Sequence, residues 1–224
     1  MEAIVGERGS RAALAGFMFA VLFVVAWVLL DNSPPFGASA NELTDYFSNP
    51  SRRRSSVIVG FWVAPFAAIA FMWFMAAFRD RLLRAGGREH TLYSTVHLVS
   101  GTTFTIAIFI AGATELATVK MVTAAADGSF DVDAIRGIIA LGTVMAQVVA
   151  LRSGAVFIAV GATRAMRSGL FPRWFGIVSY VMAAALLLVA TTWRPMALVI
   201  PAWVVGVSML VLAMRRNLEV PTES

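Results

Sequence analysis

Six long apolar stretches, separated by short connectors that carry most of the arginines, constrain this chain more than any other feature. A helix that crosses a bilayer needs about 20 mostly apolar residues, because no water reaches the hydrocarbon to satisfy an open backbone. The stretches run over residues 12–30, 56–78, 92–119, 135–166, 172–192 and 195–214. They predict an all-α fold: a polytopic membrane protein, a bundle of six transmembrane helices, with 1–224 as one transmembrane domain. Composition agrees, at 59% hydrophobic and 14% charged. Soluble domains carry roughly 45–50% apolar and about 25% charged residues. The crossings and connectors use nearly all 224 residues.

The arginines set an orientation, because Lys and Arg collect in cytoplasmic loops. Arg8 and Arg11, the Arg79–Arg88 loop, the Arg164–Arg173 loop and Arg215–Arg216 fall on one side, which is expected to be cytoplasmic. Both termini then lie inside, in a bacterial inner membrane crossed several times. Arg52, Arg53 and Arg54 fall on the other side, as a solvated or phosphate-touching loop or as a binding patch. Trp27 and Trp193 mark the outer boundary and Trp73 and Trp174 the inner one, where indoles settle. Trp62 and Trp203 are expected to pack inside the bundle. The net charge of +5 is explained by the loops rather than by nucleic acid, since no basic and aromatic surface lies outside the spans. Membrane lipids are the expected partners.

Local signals refine this frame. Ala38-Ser39-Ala40 resembles a small-residue cleavage site, but the apolar run before it is longer than a signal-peptide core and ends well short of it. The first span is therefore expected to stay uncleaved. Residues 41–47 read as a short interfacial helix, with Leu43, Tyr46 and Phe47 facing lipid or protein. Pro65 predicts a kink in the second span. The fourth stretch is roughly 45–50 Å long and must tilt, bend or project.

A few polar groups within the spans need an account. Arg152 lies near the middle of the fourth stretch, where an arginine costs about 2.5–3.5 kcal/mol on insertion scales. Such a residue faces the bundle, a wet cavity or a partner. Glu115 is the nearest acidic residue within a span, and Arg136 is a second partner for it. On the third helix Ser94, His97, Gly101, Thr105, Gly112 and Glu115 share one face. That stripe reads either as close packing through small residues or as a cavity wall with His97 titratable. Gln147 and Ser153 on the fourth helix could join either arrangement. Gly154 and Gly161, seven apart, mark a close-contact face. The candidate ligand set is therefore Arg152, His97, Glu115, Gln147 and Thr105.

Several chemistries have no footing here. Cysteine is absent, and His90 and His97 are the only histidines. A zinc site needs three or four ligands, and paired bis-histidine haems need more histidines than this. No Walker loop or dinucleotide glycine pattern occurs. No catalytic residue, cofactor or metal is expected.

The layout resembles a family of bacterial six-helix membrane proteins of unknown function. Arg11-Ala12-Ala13-Leu14-Ala15-Gly16 opens the first helix as in that family, and Leu43-Thr44-Asp45-Tyr46-Phe47 precedes the second in a similar way. Met166-Arg167-Ser168-Gly169-Leu170-Phe171-Pro172-Arg173-Trp174-Phe175-Gly176 resembles its basic-loop RSxLxPRWL motif. The third helix departs, with His97 and Ser100 where an arginine and an acidic residue are expected. The resemblance implies topology and no activity. The leading expectation is a non-enzymatic integral protein, an accessory or scaffold subunit or a homo-oligomer. The alternatives are a transporter or binding protein for a small anionic or amphipathic ligand near Arg152, and a lipid-modifying enzyme using His97 or Glu115 as base.

Overall fold

The computed structural model describes residues 2–30, 33–34, 37–86, 91–124, 131–189 and 194–219. Gly87, Arg88, His90, residues 127–130 of the acidic loop and Trp193 lie outside the described residues. Among the described residues the chain is all-α, with no strand. Helix α1 spans Glu2–Leu29 and the short α2 spans Ala40–Ser48. Helix α3 runs from Pro50–Ile58 through a π turn at Val59–Val63 into Ala64–Gly86. Helix α4 is Thr91–Ala124. Helix α5 joins Val132–Val144, a π turn at Met145–Ala150 and Leu151–Arg167. Helix α6 is Arg173–Leu188, and α7 is Val199–Glu219 after a 3-10 turn at Arg194–Leu198.

Side chains written in the sequence set the helix ends. Ser39 caps α2 in a reciprocal box: its hydroxyl accepts from the Glu42 amide at 3.3 Å and its own amide donates to Glu42 Oε2 at 2.7 Å. Asn49 Oδ1 caps α3, accepting from the Ser51 and Arg52 amides, with Pro50 in the first turn. The arginine run 52–54 thus lies on the first turns of α3 and not in a loop. Asp131 caps α5 in the same way. After α5, Gly169 takes φ +73, the Leu170 amide donates to the Ala165 carbonyl and the Gly169 amide to the Met166 carbonyl. This double bond pattern over a left-handed residue is a Schellman stop. Leu170 and Phe171 then turn inward, and Pro172 starts α6. The basic-loop motif is thus a complete helix–turn–helix instruction, with Arg167 over the Tyr93 ring at 5.1 Å.

Four helices are long and apolar enough to cross a membrane: Pro50–Ala85, Thr91–Ala124, Val132–Arg167 and Pro195–Ala213. Ala13–Leu29 and Arg173–Leu188 are apolar but shorter. Contacts fix how the short and long helices line up. Gly154 faces Ile200, and Phe157 packs on Trp203 at 6.0 Å, so α7 runs beside α5 with a constant offset. That offset sets the start of the 3-10 turn at Arg194 level with Val148. The Phe19–Phe71 contact at 5.1 Å sets the end of α1 level with Phe61. The ends of α3, α4 and α5 therefore project beyond α1 and α7, as the length of the fourth stretch required. They form a second small core, in which Val119 and Ile135 meet Leu43, Tyr46 and Phe47 of α2. Helix α2 faces protein with its apolar side.

The main core is an aromatic column. Phe71 lies 4.5 Å from Phe104 and 5.1 Å from Phe157, and Trp203 is 1% exposed among Phe74, Phe78, Phe157 and Phe171. Such pairs contribute about 0.5–1.5 kcal/mol each beyond the area they bury. Trp203 packs as expected. Trp62 does not: it is 55% exposed and stacks with Phe66. Counting along α3 from Phe71 sets it level with Val28, beside the height of Trp27, and its ring faces outward and not into the bundle.

Glycines set two close approaches. A Cβ on Gly60 would come within 2.7 Å of the Gly112 carbonyl oxygen, so α3 and α4 cross backbone to backbone. A Cβ on Gly161 would come within 3.2 Å of the His97 ring. Pro65 follows the π turn of α3. Its ring would clash with the carbonyl of Phe61, and the widened turn is where that conflict is absorbed.

Candidate functional site

Between the aromatic column and the α2 cap lies a cavity of about 530 Å³. Its wall comes from the end of α1, from α2, from both π turns, from the C-terminal half of α4 and from Ala197. Small residues form much of its wall: Ala64 and Ala67 on α3, Ala111 on α4, Gly142 and Ala146 on α5. Both π turns contribute, through Val59 on α3 and through Ala146, Gln147 and Ala150 on α5. A π turn shifts the register of a helix face by one residue and recurs at functional sites. The size falls within the range of small-molecule sites, about 300–1,000 Å³.

The polar groups of this wall are few. The hydroxyls of Thr114, Thr118 and Thr143 bond to carbonyls of their own helices at 2.8–2.9 Å and so offer little to a ligand. Glu115 is the acidic residue of the wall. Ser56 is fully buried and lies 3.4 Å from the Tyr46 hydroxyl, which lies 3.5 Å from Ser33 Oγ. The Tyr46 hydroxyl thus sits between those of Ser33 and Ser56. Gln147 stands on the opposite wall.

Of the five residues singled out from sequence, the structure brings Glu115 and Gln147 to this cavity and leaves three off its wall. His97 lies two turns further along α4 from Phe104, fully buried, stacked on Phe157 at 4.1 Å and 5.7 Å from Phe78. The Arg164 and Arg79 guanidiniums are the charges acting on it. Thr105 is buried with its hydroxyl bonded to the Gly101 carbonyl at 2.9 Å. Both belong to the packed stripe of α4, so the close-packing account holds for that part of the helix. Arg152 is half-buried one residue past Leu151 of the wall, and its Nη1 is buried without a hydrogen-bond partner among the described residues. Arg136 does not serve Glu115: its Nε donates to the Ala38 carbonyl at 2.9 Å and it pairs with Asp133 at 3.3 Å.

Sequence reasoning missed Ser56, Trp27 and the aromatic lining. Nothing in their local pattern distinguishes a ring facing a void from one facing a neighbour. Among the described residues no three His, Asp or Glu side chains converge as a metal site would require. In comparisons with known proteins, no family model, no curated protein and no solved structure matches this chain, so its own geometry carries the functional argument.

Proposed function

We propose that this protein is a non-enzymatic, multi-pass membrane protein that binds a small amphipathic molecule in the cavity beneath α2. The observation that carries this reading is a cavity of about 530 Å³ with an apolar wall and one carboxyl group. An apolar body gains contact with the wall, and a few convergent polar groups fix the orientation of the head. Catalysis would need a base matched to a second reacting group. Around the cavity Glu115 has hydroxyls, the Gln147 amide and the Trp27 indole. The arginine distribution supports a bacterial inner membrane with both termini cytoplasmic, which sets the cavity toward the outer side.

A scaffold or homo-oligomeric role has one observation behind it, the exposed ridge of Phe61, Trp62 and Phe66 on α3. Lipid chains cover such a ridge as well as a partner would, so the binding role is preferred. The test uses the full chain in micelles of an uncharged detergent and the neutral fluorophore N-phenyl-1-naphthylamine. Trp27 lines the cavity, so a bound fluorophore takes saturable energy transfer from tryptophan above the level of empty micelles. Ala146→Phe fills the space and is expected to abolish the saturable part. Equal transfer in the filled variant would refute the reading.

A further inference from the structure

We propose that the ligand of this cavity is an organic cation, a tertiary or quaternary ammonium on an apolar body, with Glu115 as its counter-charge. The inference rests on the binding role above and adds the sign and chemistry of the head. Five aromatic residues line the space: Phe23, Trp27, Tyr46, Phe47 and Phe104. The face of an aromatic ring is negative, and an enclosure of such faces is the common device for holding an ammonium that carries alkyl groups. The same wall carries the Glu115 carboxyl, and no Lys, Arg or His is among the described residues that line it.

The alternatives fit less well. An anionic head would meet a carboxyl and aromatic rings with no cation on the described wall to offset its lost hydration, a combination that disfavours burial. Arg152 adjoins the wall at Leu151 but does not line it, and Arg52 covers the Tyr46 ring at 5.5 Å without reaching the cavity. That contact also shows one ring of this lining already holding a guanidinium on its face. A neutral amphiphile would gain the apolar wall but would bring no counter-charge to the Glu115 carboxyl. An ammonium uses both. Its alkyl groups need no hydrogen bonds, which suits a wall whose threonine hydroxyls are committed to their own helices.

Three probes of one shape test this: benzyltrimethylammonium, its uncharged isostere neopentylbenzene, and phenylmethanesulfonate. Binding is measured by equilibrium dialysis of the full chain in uncharged micelles against empty micelles. The cation is expected to bind at least about tenfold more tightly than either companion, which corresponds to about 1.4 kcal/mol. Glu115→Gln is expected to remove that preference and keep the binding of the neutral probe, while Glu115→Asp keeps the preference. An anionic or neutral probe bound as tightly as the cation by the unmodified protein overturns the inference and leaves the cavity reading standing. A cation preference that survives Glu115→Gln overturns it as well. Binding of none of the three above empty micelles removes the cavity reading itself, and the cation with it.

Discussion

Ser179→Ala puts the packing of the aromatic column to a quantitative test. The Trp203 indole Nε1 donates to Ser179 Oγ at 2.9 Å, and that hydroxyl donates in turn to the Phe175 carbonyl at 2.7 Å. Ser179 is fully buried and Trp203 is 1% exposed, so no water can replace the lost acceptor. The rings edge-on to the indole, Phe74, Phe78 and Phe157, offer no acceptor oxygen. An orphaned buried donor costs about 1–3 kcal/mol in general, and hydrogen bonds between membrane helices average about 0.6 kcal/mol. The expected loss is therefore about 1–2 kcal/mol, above the membrane average because the donor is enclosed on every side. Trp203→Phe removes the same N–H, so in that background Ser179→Ala should cost no more than about 0.5 kcal/mol. The assay is equilibrium unfolding in mixed micelles of rising dodecyl sulfate fraction, followed by far-ultraviolet circular dichroism. Equal costs in the two backgrounds would refute the reasoning, because the loss would then come from the removed hydroxyl and not from the stranded indole.

Two further outcomes follow from the helix ends. Gly169→Ala places a Cβ on a residue at φ +73 and should lower stability by about 1–2 kcal/mol, with Gly169→Asn costing less, as thermal unfolding would register. The Ser39 backbone amide, and next its hydroxyl, hold the Glu42 carboxyl below the usual carboxylate range. A depressed folded value means that the stabilisation of α2 is complete above the ordinary carboxylate range and is lost as pH falls through the lowered value. The protection factors of the α2 amides, corrected for the intrinsic pH dependence of exchange, should therefore fall in acid, and Glu42→Gln should flatten that dependence; an unchanged acid response in the variant would exclude Glu42 as its source.

Much of the fold was legible because it depends on one helix at a time. The apolar stretches located the long helices, and the Arg167–Trp174 motif marked the restart of a helix at Pro172, whereas the caps Ser39, Asn49 and Asp131 were recognised only in the structure. The stripe of α4 was legible as a buried face for the same reason. The candidate site was legible only in part. Glu115 and Gln147 stood out as polar residues in apolar runs, but the pattern that exposed them gave no means of excluding His97 and Thr105 from the same set.

The sequence alone determined that this chain is helical and that it carries long apolar helices, since hydropathy is a property of neighbours along one stretch of backbone; the helices run past the apolar stretches, as at Glu2–Leu29 and Pro50–Gly86. Tertiary structure alone decided where space is left. Gly16 packs against Ser208 and Phe74 with no gap, yet Ala111 and Ala146 border a cavity of about 530 Å³. A small residue reads the same in either place. Whether it closes a contact or opens a void depends on what the facing helix presents at that height, here set by two π turns and by α2 folding back over the projecting ends of α3, α4 and α5.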